Sequence, residues 1–91
     1  MPGKTLIVVP CYNESQRLDL PAFRRFAVQN RDIGFLMVND GSTDSTEDIL
    51  QELAASLPTS FQSLSLAKNS GKAEAVRQGV CRAMESGADI V

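Results

Sequence analysis

The fold is decided by residues 33–57, IGFLMVNDGSTDSTEDILQELAASL, in which one hydrophobic pattern gives way to another. Residues 33–38 are almost continuously apolar, which is typical of a strand inside a parallel sheet. After a polar turn, Asp44 and Glu47 have the spacing of a capping box, which predicts the start of a helix. The apolar residues that follow recur at helical spacing: Ile49, Leu50, Leu53, Ala54 and Leu57. This stretch therefore predicts one β-strand followed by one α-helix.

A second unit of the same kind lies upstream. Residues 6–9, LIVV, are continuously apolar and predict a strand buried on both faces. Asp19 has the position of a helix N-cap, and Pro21 is tolerated in the first turn that follows it. The predicted inward face of this short helix consists of Leu20, Phe23, Phe26 and Ala27.

A third unit lies downstream. Residues 61–66, FQSLSL, mix polar and apolar side chains, which favours a strand at an edge of the sheet. A third helix is predicted from about Lys72 to Ser86, with Gly87 as its C-terminal cap. Its predicted apolar stripe consists of Val76, Val80, Ala83 and Met84. Ile90 and Val91 have the pattern of an opening fourth strand, and Asp89 is predicted to lie in the turn before it.

Three βα units followed by the start of another strand predict an α/β fold with an open parallel sheet and right-handed crossovers. The chain has 91 residues, enough for one domain at most. In an open parallel sheet, ligands bind outside the carboxyl ends of the strands. We therefore expect the functional residues in the loops that follow the three predicted strands.

Composition and charge exclude several functions. The net charge is −2 and the sequence pI is near 4.9, so no basic surface for nucleic acid is expected. No apolar run approaches the roughly 20 residues that cross a bilayer or has the form of a secretory leader. Cys11 and Cys81 lie far apart in a chain without histidine, which argues against zinc and for reduced, inert thiols. These features predict a cytoplasmic protein.

The three loops at the predicted strand ends carry residues that suit a nucleotide. They span residues 10–14, 39–44 and 68–72, and they offer an aromatic ring, carboxylates, a glycine turn and two lysines. A ring can stack on a base, carboxylates can accept from the base and ribose, and a lysine near a helix N-terminus can attract phosphate. The residues themselves therefore favour a nucleotide-binding site at this rim.

The same loops resemble the opening motifs of family 2 glycosyltransferases. The motifs are VPCYNE at 9–14, VNDGSTD at 38–44 and NSGKAEAVRQG at 69–79, in this order and at suitable spacing. The resemblance covers almost the whole chain. It implies the GT-A fold, whose N-terminal half is Rossmann-like, and inverting sugar transfer from a UDP- or GDP-sugar donor. The third motif is similar to the version found in polyprenyl-phosphate sugar transferases.

The resemblance implies roles for residues around the base of the donor. Pro10 and Tyr12 would shape and stack the base pocket; an isolated tyrosine would be expected to pack on the first helix, but the surrounding motif favours the base-stacking role for Tyr12. Glu14 would lie near the nucleoside. Asp40 would accept hydrogen bonds from the base, although an aspartate before a glycine is also ordinary turn chemistry. Asn39 stands where the family more often has aspartate, which puts the base preference in doubt.

Two cationic residues are assigned to the donor in the same way. Lys72 and Arg77 would supply positive charge toward the donor, while Arg77 could instead pair with Glu74 or Asp48. For Asp44 and Glu47 we interpret helix capping as the whole role. The resemblance also implies a divalent cation, Mg²⁺ or Mn²⁺, whose ligands, like the catalytic base, would lie beyond residue 91.

Residues 1–91 are accordingly interpreted as the N-terminal, nucleotide-sugar-binding part of a glycosyltransferase domain, which is incomplete. No catalytic or metal-binding residue is assigned within them, so the isolated chain is expected to have no transferase activity. The acceptor would be a polyprenyl phosphate or a glycan, and a longer protein would act at the cytoplasmic face of a membrane. The family's sheet order pairs the first strand with the strand starting at Ile90. Without most of that partner strand, residues 6–9 would form an exposed edge of the sheet, through which the chain would self-associate.

Two alternatives from another class remain open at this stage. A phospho-acceptor receiver domain is also a short α/β domain with acidic strand ends, but the segment Ala67-Lys68-Asn69 after the third strand lacks the aspartate it would need. A nucleotide-binding or interaction module without catalysis would show the same three loops.

Overall fold

The computed structural model describes residues 5–87 together with the backbone of residues 89–90. Strands and helices alternate along the chain in the order β1, α1, β2, α2, β3, α3, β4. Their bounds are Thr5–Cys11, Leu20–Gln29, Ile33–Asn39, Thr46–Ser56, Phe61–Ser65, Lys72–Glu85 and Asp89–Ile90. All described strand pairs are parallel, in the sheet order β3-β2-β1-β4. The predicted α/β fold with an open parallel sheet is confirmed.

The sheet separates two hydrophobic clusters. On one face, α1 and α2 contribute Ala27, Leu50 and Leu53 to a cluster with Phe35 and Phe61 of the sheet. On the other face, α3 packs its small side chains against β1 and β2. Strand β2 lies between two neighbours and is the most deeply buried, which agrees with its continuously apolar sequence.

The first helix begins as predicted. The Asp19 carboxylate accepts a hydrogen bond of 3.1 Å from the Ala22 backbone N–H, and a proline occupies the first turn. Phe23 and Phe26 both contact Phe35 edge-on, with ring centroids 5.3 and 5.7 Å apart. Phe26 nevertheless remains 38% exposed, so the inward face of this helix is narrower than predicted.

Strand β1 differs from the prediction of burial on both faces. Leu6 and Cys11 are buried, whereas residues 7–10 are only half-buried. Within the described residues, β4 pairs only with Thr5 and Leu6, so most of β1 has a strand neighbour on one side alone. The predicted order, with β1 next to the fourth strand and β3 at an edge, is correct. Asp89, however, is the first residue of β4 and not part of the preceding turn.

The predicted stripe of α3 is wrong in part. The buried positions are Ala75, Gly79 and Ala83, while Met84 is 66% exposed and Val76 and Val80 are half-buried. A Cβ at Gly79 would lie only 2.6 Å from Cγ1 of Val8 and 2.8 Å from Cγ2 of Val38. The helix therefore lies on the sheet through its smallest residues, because close approach excludes larger ones.

No helix within the described residues is long and apolar enough to cross a bilayer.

Candidate functional site

A cleft lies at the carboxyl ends of β1, β2 and β3, where the parallel-sheet rule locates ligands. Its cavity volume is about 320 Å³, which is at the lower end of the range for small-molecule sites. The lining residues are Pro10, Cys11, Tyr12, Glu14, Asp40, Asn69, Gly71 and Lys72. Lys72 is the first residue of α3, and the others come from the strand ends or from the loops that follow the three strands.

The structure brings together five of the six residues to which the sequence assigned donor binding. Pro10, Tyr12, Glu14, Asp40 and Lys72 all line the cleft. Arg77 does not, because it lies farther along α3 beside a separate depression.

Arg77 adopts the other arrangement that the sequence left open. Its Nε and Nη2 atoms donate to the two carboxylate oxygens of Glu74 at 2.7 and 2.6 Å. The paired hydrogen bonds raise the pKa of Arg77, and the same bonds, with one from Gln78, lower the pKa of Glu74 to about 2. The Arg77 guanidinium therefore forms its ion pair within α3.

Asp40 is almost completely buried, with 3% of its surface exposed, although it is an acidic residue. Its carboxylate accepts from the backbone N–H of Ser70 at 2.8 Å, from that of Gly71 at 3.0 Å and from Nδ2 of Asn69 at 3.0 Å. These three donors replace the water that a buried carboxylate loses. Asp40 thus connects the end of β2 to the loop between β3 and α3.

Gly41 allows these two loops to touch. It has a φ of +66°, and a Cβ there would lie 2.2 Å from the backbone N of Asn69 and 2.3 Å from the carbonyl carbon of Lys68. Only glycine combines this backbone conformation with this distance. The turn after β2 and the loop after β3 therefore form one packed unit.

The loop after β1 is attached to the same turn from the other side. The Asn13 backbone N–H donates to the Ser42 hydroxyl at 3.0 Å, and the Thr43 N–H donates to Oδ1 of Asn13 at 2.9 Å. Asn13 has a φ of +50°, a conformation that asparagine tolerates better than most residues. These bonds fix the backbone between Tyr12 and Glu14 at the cleft.

Asp44 does more than the predicted helix capping. Its carboxylate accepts from the Thr46 N–H at 2.9 Å, from the Thr46 hydroxyl and from the Ser15 hydroxyl at 2.7 Å. The Thr46 hydroxyl also accepts the Glu14 N–H at 2.9 Å. The Thr46 hydrogen bond first, and then that of Ser15, lower the pKa of Asp44 to about 2. The carboxylate is therefore ionised at neutral pH.

The predicted capping box is correct only in its first half. Asp44 does accept from the first turn of α2, whose N-cap in the structure is Ser45. Glu47 is exposed and makes no reciprocal hydrogen bond with Asp44 among the described residues. The loop after β1 bonds to this helix start, because the Glu14 N–H donates to the Thr46 hydroxyl and the Ser15 hydroxyl donates to Asp44.

Three lining residues of the cleft have side chains that suit a ligand: Tyr12, Glu14 and Lys72. Tyr12 is 43% exposed, and its ring is in contact with no other aromatic ring of residues 5–87. Glu14 pairs with Arg17 at 2.9 Å, an exposed ion pair that water and salt weaken. Lys72 is exposed and is the first residue of α3. The cleft thus combines a ring, a carboxylate and a cation.

Cys11 lines the cleft but has no sign of reactivity. Burial, and to a lesser extent the charge of Glu14, raise the pKa of its thiol to about 11. A thiol with a raised pKa is a poor nucleophile, because the thiolate is the reactive form. Both cysteines are free, and this environment supports the inert role predicted for Cys11.

Asn39 is not among the residues that line the cleft. Its Oδ1 accepts from the Ser42 N–H at 3.1 Å, and the residue lines a separate depression together with Ser42 and Thr43. Asn39 therefore stabilises the turn after β2.

Asn69 and Gly71 are cleft residues to which the sequence gave no role. Both lie in the loop at residues 68–72, from which the family resemblance assigns a role to Lys72 alone. The signal that could have identified them is their position at the third strand end, since the carboxyl ends of parallel strands share one rim.

Within the described part of the chain, no three acidic, cysteine or histidine side chains form a group that could hold a metal ion. Asp40, the most buried carboxylate at the cleft, already accepts three protein hydrogen bonds. The described residues therefore do not fit a divalent cation.

Comparison with known proteins gives one family match. The model of the family described as Glycosyl transferase family 2 matches residues 6–85. This range contains all three strand-end loops.

Two curated relatives and one solved structure are also similar to the chain. Poly-beta-1,6-N-acetyl-D-glucosamine synthase of Staphylococcus aureus (strain COL) is 29% identical over 76 residues, which cover 84% of this chain and 18% of that protein. The prophage bactoprenol glucosyl transferase homolog of Escherichia coli (strain K12) is 34% identical over 80 residues, covering 85% of this chain and 26% of that protein.

The solved structure is the mannosyltransferase PcManGT from Pyrobaculum calidifontis in complex with GDP-Man and Mn²⁺. It has a TM-score of 0.67 and 19% sequence identity, and the match covers 90% of this chain and 25% of that one. This likeness shows a shared fold. The chain spans about a fifth to a quarter of the length of all three proteins.

Proposed function

The chain belongs to glycosyltransferase family 2, and from this premise we propose that its cleft binds the nucleotide of a nucleotide-sugar donor during sugar transfer. The observation that carries the proposal is the convergence of Tyr12, Glu14 and Lys72 on one cleft at the carboxyl rim of the sheet. Residues 1–91 would supply the donor-binding part of the transferase domain.

The proposed orientation follows from the chemistry of the lining. The base would stack on Tyr12 beside Pro10, because these form the apolar and aromatic part of the wall. Glu14 would accept from the ribose hydroxyls. The diphosphate would lie toward Lys72, since an ammonium group and the first backbone N–H groups of α3 both attract anions.

The finer points of the reaction are part of the proposal. We propose a UDP- or GDP-sugar as donor, an inverting transfer, and a polyprenyl phosphate or a glycan as acceptor. One curated relative is named as a prophage bactoprenol glucosyl transferase homolog and another as a poly-beta-1,6-N-acetyl-D-glucosamine synthase, which supports these acceptor classes. The proposed location is the cytoplasm, with a longer protein acting at the cytoplasmic face of a membrane.

A divalent cation, Mg²⁺ or Mn²⁺, is also proposed for the reaction, with ligands outside residues 1–91. The similar mannosyltransferase was solved with Mn²⁺, which supports this expectation. No step of the proposal depends on the cation being held by the described residues.

The family match favours this function over the receiver-like alternative. A receiver domain would need a carboxylate after β3, and the residues there are Leu66, Ala67, Lys68 and Asn69.

The proposal predicts that Tyr12→Ala weakens nucleoside diphosphate binding about tenfold, because base stacking on an aromatic ring contributes about 1–3 kcal/mol. Calorimetry with UDP and with GDP, in the presence and absence of Mn²⁺, measures this change. Val28→Ala, an exposed apolar residue on α1, is the control and should leave the affinity unchanged. Folded chain that binds neither diphosphate would contradict the proposed function.

Self-association through β1 is a separate proposal. In the described residues β4 pairs only with Thr5 and Leu6, so the backbone groups of Val8 and Pro10 have no strand on that side. We expect light scattering on the 91-residue chain to show dimers or larger species as concentration rises. A stable monomer at high concentration would disprove this mode of association.

A further inference from the structure

We infer that Thr46, which lies outside the cleft, is a positioning residue: its buried hydroxyl holds the backbone of Glu14 and with it the short segment that brings Tyr12 and Glu14 to the cleft. This inference rests on the proposed function and deepens it, because it names a residue that affects nucleotide affinity without touching the nucleotide. Thr46 is the first residue of α2 and is not among the residues that line the cleft.

Thr46 is a polar residue in an apolar stripe. The buried residues of α2 are Thr46, Leu50 and Leu53, which recur at the i, i+4 and i+7 spacing of one helix face. Thr46 is 0% exposed, so its hydroxyl has no access to water. An aliphatic side chain of the same shape would avoid the cost of burying a hydroxyl. The hydroxyl at this position therefore needs partners within the chain.

The partners of this hydroxyl are two residues, one from each neighbouring loop. Its oxygen accepts the Glu14 N–H at 2.9 Å, across 32 positions of sequence, and it donates to Oδ1 of Asp44. Asp44 is ionised at neutral pH, and an ionised carboxylate can only accept. The hydroxyl hydrogen is therefore directed to Asp44, which leaves the oxygen of Thr46 to accept from Glu14.

The carbonyl of Glu14 is held as well. It accepts from the Arg17 N–H at 2.9 Å and from the Leu18 N–H at 3.0 Å. The backbone of Glu14 is thus bonded on both sides, through its N–H to α2 and through its carbonyl to the turn that leads to α1. Because Tyr12 lies only two residues before Glu14, the contact with Thr46 also restrains the backbone of Tyr12.

The adjacent contacts of the same loop are more accessible to water. The Asn13 N–H donates to the Ser42 hydroxyl between two half-buried residues, and the Ser15 hydroxyl donates to the exposed Asp44. Water can replace an exposed hydrogen bond, whereas a buried group that loses its partner remains unsatisfied. We therefore expect Thr46 to contribute more to holding this loop than either neighbouring contact.

Two substitutions separate the hydroxyl of Thr46 from its shape. Thr46→Val keeps the shape and removes the hydroxyl, whereas Thr46→Ser keeps the hydroxyl and removes the methyl group. Calorimetry measures the affinity of each variant for UDP and for GDP. We expect Thr46→Val to weaken nucleotide binding about five- to tenfold, the equivalent of one hydrogen bond, and Thr46→Ser to stay within about twofold of the unaltered chain.

The matched control is Ser56→Ala, which removes a bonded hydroxyl from the other end of the same helix. The Ser56 hydroxyl donates to the Leu53 carbonyl at 3.1 Å, and Ser56 is the last residue of α2. Ser56→Ala should leave both nucleotide affinities unchanged.

Amide hydrogen exchange needs no ligand and reports on the backbone contact itself. We expect the Glu14 amide to exchange at least about tenfold faster in Thr46→Val than in the unaltered chain, and at an unchanged rate in Thr46→Ser. If Thr46→Val does not fold, Asp44→Ala removes the acceptor that orients the hydroxyl. That variant should change the exchange rate and the affinity in the same directions as Thr46→Val.

The outcomes separate this inference from the proposed function. A folded, unaltered chain that binds neither UDP nor GDP refutes the proposed function, and the role of Thr46 in binding with it. If the unaltered chain binds, equal affinities of Thr46→Val and Thr46→Ser overturn the inference, because the hydroxyl then has no part in binding. Unchanged exchange at Glu14 in Thr46→Val also overturns it, because the hydroxyl then does not hold the loop.

Discussion

Replacement of Gly41 by alanine is expected to lower the free energy of unfolding by about 2–5 kcal/mol, a large part of the stability of a small domain. The new methyl group would lie 2.2 Å from the Asn69 backbone N and 2.3 Å from the Lys68 carbonyl carbon. These are backbone atoms, so no rotamer change relieves the overlap. The turn after β2 and the loop after β3 would have to separate. Urea denaturation followed by circular dichroism measures the change.

The matched control is Gly87→Ala. Gly87 has a φ of +76°, close to the +66° of Gly41, but a Cβ there would meet nothing within 4 Å. Gly87→Ala should therefore lower the free energy of unfolding by only about 1–2 kcal/mol, which is the penalty for a non-glycine residue in the left-handed conformation. The Gly41 variant should also bind nucleoside diphosphate more weakly, since the loop that carries Lys72 is displaced. Equal destabilisation by the two substitutions would show that close approach of the loops is unimportant.

Gly79→Val should be the second strongly destabilising change, with a loss of about 2–3 kcal/mol. Valine has a higher helix propensity than glycine, so helix formation alone predicts a small gain. The loss comes from packing, because even a Cβ at this position would lie 2.6 Å from Val8 and 2.8 Å from Val38. Both neighbours are β-branched and stiff, so they move only with the strands that carry them.

Thermal and urea unfolding of Gly79→Val should be compared with Ala73→Val on the exposed face of the same helix. The control should cost about 0.5 kcal/mol, the difference in helix propensity. A Gly79 variant as stable as the control would mean that α3 does not need close contact with β1 and β2.

The features that the sequence predicted correctly depend on local patterns. The apolar run at residues 33–38, followed by a helical period, locates β2 and α2 without knowledge of the rest of the chain. The positions of Tyr12 and Lys72 at one rim follow from the rule that parallel strands end on the same side. These predictions needed only residue types and their spacing.

The features that were missed depend on partners far away in sequence. Asp40 bonds to a loop about 30 residues further on, and Asp44 bonds to Ser15, 29 residues before it. No local pattern distinguishes such a carboxylate from one that faces a ligand or caps a helix. The buried face of α3 was misassigned for a related reason. Hydrophobicity predicted Met84 inside, but the distance between helix and sheet selects small residues such as Gly79.

The most direct test of the central claim is to locate the nucleotide on the chain. Titration of the ¹⁵N-labelled 91-residue chain with UDP and with GDP, followed by amide NMR spectra, shows which residues respond. The account predicts saturable shifts concentrated at Tyr12, Glu14, Gly71 and Lys72. Absence of shifts with both diphosphates, or shifts centred on Arg77 and Arg82 at the separate depression farther along α3, would contradict it.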